Sequence, residues 1–256
     1  SFDNEQGRDD NHPDQNKDGH YVLKTYEQFV QAGKLMNLPL KDNSYQNATY
    51  VLDRIVDFKD QAWQPWGTAE QPFTATLDGK GFGIINLNIQ GSALIDTIGK
   101  DGVLKNLGIL SVKVKEVTGT NLPSYGGVLA GQNYGTIDNV YLGLAPEITH
   151  VRVNDQVSYP RAELNQAVMQ NGFNFGSVVG KNYGKVMNAT NYLSLKARST
   201  ADTTKRIGGM VGLAAANSSV VNTTNLGKVD VSEAGGSLGD SGGIIANGGT
   251  SATVKN

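Results

Sequence analysis

With 256 residues, 38% of them hydrophobic, the chain is long enough to bury a sizeable core, and a repetitive β fold of this length forms one domain. A net charge of −2 offers nucleic acid no electrostatic footprint, so no nucleic-acid partner is expected. The absence of cysteine removes disulfides and thiolate metal sites, and no apolar run has the length of a membrane span or the form of a secretory signal.

Residues 1–20 are rich in Asp, Asn and Gln and predict a disordered polar leader. Within them, Asp14-Gln15-Asn16-Lys17-Asp18-Gly19 opens like a calcium loop, with oxygen ligands at alternate positions and a glycine at the turn. Asp14, Asn16 and Asp18 are therefore the candidate calcium ligands. The pattern then lapses: Thr25 stands where the closing bidentate Glu belongs, and Glu27 comes two residues late. No other cofactor is expected.

Residues 25–38 read as a helix. Thr25-Tyr26-Glu27-Gln28 is a capping-box pattern, Phe29, Ala32, Leu35 and Met36 share one face, and Pro39 stops it. Stacked β-coils leave an apolar end open, and this helix is placed there as a cap. The alternative is a helix–helix contact with a neighbouring domain.

From about residue 50 to residue 256 the pattern is that of coils. Asp78-Gly79 marks a tight turn between two short strands. The unit Gly126-Gly127-Val128-Leu129-Ala130-Gly131-Gln132-Asn133-Tyr134-Gly135-Thr136-Ile137-Asp138-Asn139 then recurs from Phe175 to Asn188, from Ile207 to Asn222 and from Ser241 to Asn256. An apolar residue, any residue and Asn close each copy, and the same triplet ends earlier at Asn86 and Asn106. The six asparagines Asn86, Asn106, Asn139, Asn188, Asn222 and Asn256 are separated by 20 to 49 residues, a spacing that signals a solenoid, propeller or array. Propeller blades need even lengths, whereas a solenoid turn absorbs an insertion without disturbing the stack. The fold expected is all-β, a right-handed parallel β-helix with an N-terminal capping helix. Its hand follows the general rule for parallel crossovers. The asparagines should stack as a ladder at left-handed corners, each amide bonding the next.

The run Phe73-x-x-Thr76-Leu77-Asp78-Gly79-x-Gly81-x-x-Ile84-x-Asn86-Leu87, followed by the Gly-Gly-x-x-x-Gly-x-Asn-x-Gly-x-Ile-x-Asn units, resembles bacterial GLUG-motif proteins. Such repeats occur in surface haemagglutinin-like adhesins and in the non-catalytic region of IgA-cleaving metallopeptidases. The resemblance spans about residues 21–256, and Phe175-Gly176-Ser177 and Ala214-Ala215-Ala216-Asn217-Ser218 depart from it. It implies export and display at the bacterial cell surface, and it identifies no ligand. The polar start and the finish on a repeat asparagine lead to the expectation of a piece of a longer protein, with neighbouring domains and targeting signals elsewhere.

The widest interval between the asparagines holds an insertion, roughly residues 145–172, broken by Pro146, Pro160 and Asn154-Asp155, with a short helix expected over 162–169. Polar excursions at 196–206 and 231–241 occupy corresponding places, so all three should project from one side and form a contact surface.

Catalytic constellations are few. Gly239-Asp240-Ser241-Gly242-Gly243 matches a serine-protease nucleophile signature, but the histidines His12, His20 and His150 stand in no matching context, and the segment fits the repeat register. No His-Glu-x-x-His occurs. Asp53, Asp57, Asp78, Asp96, Asp101 and Asp138 are sparse on the coils, and no β-helical glycosidase pattern accompanies them. Trp63 reads as core, Trp66 as core or sugar platform, and Tyr134 and Tyr183 as rings stacked on each other. Asn47, Asn188, Asn217 and Asn222 match the glycosylation pattern by chance.

The functional expectation is a non-catalytic, secreted or cell-surface module that adheres or binds ligand, a host or bacterial glycan or glycoprotein, through its long turns. A carbohydrate-active enzyme on a β-helix face and a structural spacer of a large surface peptidase are the alternatives.

Overall fold

The computed structural model describes residues 11–114, 124–159, 163–164, 173–198, 205–233, 238–248 and 252–255. The chain is mostly β, with large parallel sheets. The reason lies in the repeat. Tyr125–Gly126 turns at a glycine corner into Ala130–Asn133, which turns into Thr136–Leu142. The next two passes repeat the course as Phe173–Phe175, Val179–Asn182 and Lys185–Asn191, then Lys205–Gly208, Val211–Ala214 and Ser219–Asn225. Each strand pairs in parallel with its counterpart one pass later.

Pairing equivalent strands stacks side chains of like kind. Leu77, Leu104, Ile137, Val186 and Val220 form one row across the longest sheet, each fully buried. A single pass has no partner for such a row, so burial is shared between passes. Glycine is needed where successive strands fold together. A Cβ on Gly184 would lie 2.3 Å from the Gly135 carbonyl oxygen, a backbone atom that cannot move aside.

The seven-residue strands bend at their central asparagine. Asn106, Asn139, Asn188 and Asn222 have φ between 53° and 55°, and the residues on either side of them carry the ladder pairing. Asn86 has φ 60° but stands outside this row. Register places Gly79 opposite Asn106, while the strand ending at Ile85 pairs further along, so Asn86 meets Ser111. The six-membered ladder expected from spacing is thus four stacked asparagines and one at another corner, with Asn256 outside the described residues.

The N-terminal end departs further. Residues 11–20 are not a disordered leader. Asp14–Gln15 and Tyr21–Val22 form a hairpin, and Tyr21–Val22 extends the longest sheet beside Thr49–Val51. The cause is the buried His12, whose ring lies 6.2 Å from that of Tyr21 and 6.0 Å from that of Tyr45. Residues 1–10 are outside the description. Helix Tyr26–Met36 follows, so among the described residues the first element is strand and not helix. Thr25 caps it by accepting from the Gln28 N–H, and Phe29, Ala32, Leu35 and Met36 are its buried face. That face lies on Phe58, Trp63 and Trp66.

Over the insertion, Glu163–Leu164 is strand, paired with Ser194–Leu195. Helix at those two positions is therefore overturned by sheet pairing, and 165–169 lie outside the described residues. Glu163–Leu164, Ser194–Arg198 and Val229–Glu233 make one parallel three-stranded sheet, which brings the three excursions together.

Candidate functional site

Two features go beyond packing of the repeat. The first is a hairpin in the insertion. Val151–Val153 pairs antiparallel with Gln156–Ser158, and Asn154 and Asp155, at φ 48° and 64°, make the turn. Two central residues of positive φ match the right-handed twist of the strands, and Asn and Asp tolerate that region best. Val153, next to the turn, and the partly buried Val151 fasten the first strand against Ile85 and Leu110, in a small apolar cluster of its own. The second strand and the residues flanking the hairpin are open: Ile148 is 46%, Val157 47% and Tyr159 72% exposed, with the His150 ring 5.8 Å from that of Tyr159. The alternation Val151-Arg152-Val153 around Asn154-Asp155 was the signal for this hairpin, read in sequence only as a break.

The second feature is a polar cluster where the strands before and after the glycine corner meet. Pairing aligns Thr97, Gln132 and Lys181 in one row and Tyr125, Asn174 and Arg206 in the other. The Tyr125 ring can reach across because Gly131 has no Cβ; one there would sit 2.6 Å from the ring. Asp96 accepts from the hydroxyls of Ser92 (2.6 Å), Thr97 (2.8 Å) and Tyr125 (2.9 Å). Gln132 donates to Thr97 Oγ1 at 3.0 Å. The Lys181 ammonium donates to Ser124 Oγ at 3.1 Å and lies 5.7 Å from the Tyr125 ring centroid. Burial, then the Asp96 charge and hydrogen bond, push the Tyr125 phenol up to about 12. Burial, then the Arg206 charge, holds Lys181 below the ordinary lysine value. The cluster drew no attention in sequence because its residues come from separate passes.

The other predicted residues fall as follows. In the Asp14–Gly19 turn, Asn16 Oδ1 accepts the N–H groups of Asp18 and His20, both at 3.0 Å. That oxygen closes the hairpin, and among the described residues no three His, Asp or Glu side chains gather in metal-binding range. The Asn139 amide donates to Asn106 at 2.8 Å and the Asn222 amide to Asn188 at 2.6 Å. Asn188 and Asn106 turn instead to Asp138 and Asp78. A second, inner ladder was missed: the buried Asn133 donates to Asn182 at 3.0 Å, each amide closing its own Asn-x-Gly turn. Asn191 and Asn225 form a like pair. The repeated Asn-x-Gly was its signature.

Trp63 and Trp66 are both core, their indole N–H groups donating to the carbonyls of Leu94 and Phe29, so neither is a sugar platform. Tyr134 and Tyr183 stack at 4.6 Å with planes 5° apart. Several coil carboxylates are held by neighbours. Asp53 pairs with Arg54, whose hydrogen bond holds it below the usual range. Asp57 accepts from Asn86 and the Lys59 N–H. At Asp78 burial opposes the charge, but the Asn106 amide, the Lys80 N–H and the Lys80 charge outweigh it and lower the carboxyl. Ser241 lies within a strand, in register with Ile207.

No protein-family model and no curated protein sequence matches the chain. Among solved structures it is similar to a crystal structure from Bacteroides ovatus described as "a putative immunoglobulin A1 protease", with a TM-score of 0.62 at 14% identity. The match covers 94% of this chain and 65% of that one. At that identity the likeness concerns the fold alone. Among the described residues no helix is long and apolar enough to cross a membrane.

Proposed function

We propose that this chain is a right-handed β-solenoid of GLUG-repeat type, capped near its N-terminal end by helix Tyr26–Met36, that serves as a non-catalytic contact module of a secreted or cell-surface bacterial protein. The observation that carries the reading is the Val151–Ser158 hairpin. Its first strand is fastened through Val153 to Ile85 and Leu110, while Ile148, Val157 and Tyr159 stand in solvent. Exposed aromatic and aliphatic side chains on and beside an anchored hairpin suit adhesion to a glycan or glycoprotein. The coil carboxylates Asp53, Asp57, Asp78, Asp96 and Asp138 are engaged by neighbouring side chains, which supports contact over hydrolysis.

The test is chromatography of a panel of host and bacterial glycans over the immobilised protein, read for retention and for shortening. Retention without shortening, lost in Tyr159→Ala at unchanged melting temperature, is expected. Chain shortening would sink the non-catalytic reading.

The fold likeness to the Bacteroides ovatus structure favours a second reading: an accessory region of a larger peptidase-type surface protein, in which the module positions neighbouring domains. Its expected signature is no glycan retention by the isolated module, together with loss of substrate capture when the module is deleted from the parent protein.

A further inference from the structure

The corner that leads into the long strands differs in length from pass to pass. Pairing aligns Ile98, Asn133, Asn182 and Ala214 before it, and Val103, Thr136, Lys185 and Ser219 after it. Two residues therefore turn the corner at Tyr134-Gly135 and at Tyr183-Gly184, but four do so at 99–102 before them and at 215–218 after them. The two tyrosines stand between these longer turns, their rings 4.6 Å apart and within 5° of parallel, 45% and 36% exposed. Their corners are pinned from inside, because Asn133 and Asn182 accept the N–H groups of Gly135 and Gly184. Rings at that spacing admit nothing between them, so a ligand can use only an outer face. Beyond Tyr183 the row continues: the Ala215 N–H donates to the Asn182 carbonyl as the Tyr183 N–H donates to that of Asn133. Alanine thus stands where a third ring would extend the stack. The outer face of Tyr183 looks onto Ala215 and the exposed Ala216, with the exposed Asn217, at φ 65°, on the rim. The outer face of Tyr134 instead borders the charged, exposed Lys100 and Asp101.

We propose that the outer face of Tyr183, beside Ala215, binds one pyranose ring of a neutral oligosaccharide. A pyranose has a C–H face that stacks on an aromatic plane and a girdle of hydroxyls at its edge. It is one ring thick, which matches the strand spacing of about 4.8 Å that the row follows. The Asn217 amide and the Lys185 ammonium, both exposed at the corner, supply donors to the hydroxyls. A nucleobase is another flat ring, but a net charge of −2 gives its phosphates no counterpart. An apolar peptide side chain fits less well, since two alanines border the face and enclose no pocket. Strand Thr136–Leu142 separates Tyr134 from the insertion, so the site is apart from the Val151–Ser158 hairpin and does not rest on the contact function assigned there.

Isothermal titration of the whole chain with cellohexaose, mannohexaose and chitohexaose tests it, with decaproline as the control ligand. At least one hexasaccharide is expected to bind at about millimolar concentration or tighter. Tyr183→Ala should weaken that binding about tenfold, whereas Tyr183→Phe should keep it, because stacking needs the ring. Ala215→Tyr should weaken it as well without lowering the melting temperature, since the chain then supplies the third ring itself. Tyr159→Ala should leave this binding intact. The inference is overturned if no hexasaccharide binds at about 10 millimolar, or if either Tyr183→Ala or Ala215→Tyr binds as the parent does. Binding lost in Tyr159→Ala and kept in Tyr183→Ala would move the sugar to the hairpin, overturning this site and upholding the other. Decaproline that binds more tightly than every hexasaccharide would overturn the assignment to a sugar.

Discussion

The first turns of the chain and the repeats that follow are held together by different chemistry. Around the helix, Tyr26, Phe29, Phe58, Trp63, Trp66 and Phe73 form a linked aromatic cluster with centroids 4.9 to 6.2 Å apart. Past residue 124, Phe175 is the one buried aromatic among the described residues, and the interior is aliphatic rows and asparagine amides. A repeat must place each side chain on a copy of itself one strand spacing away, about 4.8 Å. Aliphatic groups and amides do that in a straight row. Beside the helix the rows of like side chains give way to large rings, each burying much area.

Breaking the aromatic end should cost most. Trp66→Ala removes a 3%-exposed indole stacked on Phe29 and Phe73, together with the N–H it donates to the Phe29 carbonyl. A loss of about 3–5 kcal/mol in urea unfolding is expected. A loss below about 1 kcal/mol would mean that the end is not a cooperative part of the stack.

Within the repeats, the inner ladder should outrank the outer one. Asn182→Ala leaves the half-buried Gly184 N–H without its side-chain acceptor and removes one acceptor of the buried Asn133 amide, a cost of about 1–3 kcal/mol. Asn139→Ala replaces a residue that tolerates φ 55° with one that does not, in an exposed corner, for about 1–2 kcal/mol. Asn139→Gly should recover most of that loss, whereas Asn182→Gly should recover none. Equal behaviour of the two pairs would erase the distinction between the ladders.

The smallest effect is a slope. Tyr125 is raised from 10.0 to about 12 in the folded chain, so the unfolded chain gives up this proton first. Its contribution is fully present below pH 10 and lost as pH rises through about 12. Stability measured from pH 9 upward should fall less steeply in Tyr125→Phe than in the parent.

What could be read from sequence tracks the range of the interaction involved. The helix, its cap and its buried face were legible because i, i+3 and i+4 spacing is local. The left-handed asparagine corners were legible because the backbone preference belongs to the residue itself. The row occupied by Asn86 was not: the triplet at Ile84-Ile85-Asn86 matches the others, and only pairing of Gly83 with Gly108 shows it to be another corner. The Asp14 segment was misread for a similar reason. Its polar composition predicts disorder, but one buried histidine held by tyrosines beyond it outweighs ten residues of local tendency.

The sequence by itself determined that the chain is β-rich, where it repeats, which glycines and asparagines turn it, and which aliphatic residues face inward. These follow from backbone sterics and periodicity, properties of a residue and its near neighbours. The tertiary structure alone decided which passes lie side by side. That decision set the inner asparagine ladder, placed Asp96, Tyr125 and Lys181 from three passes within reach of one another, and anchored the Val151–Ser158 hairpin on Ile85 and Leu110. Strand pairing joins residues that are far apart in sequence, and no local signal records the partner.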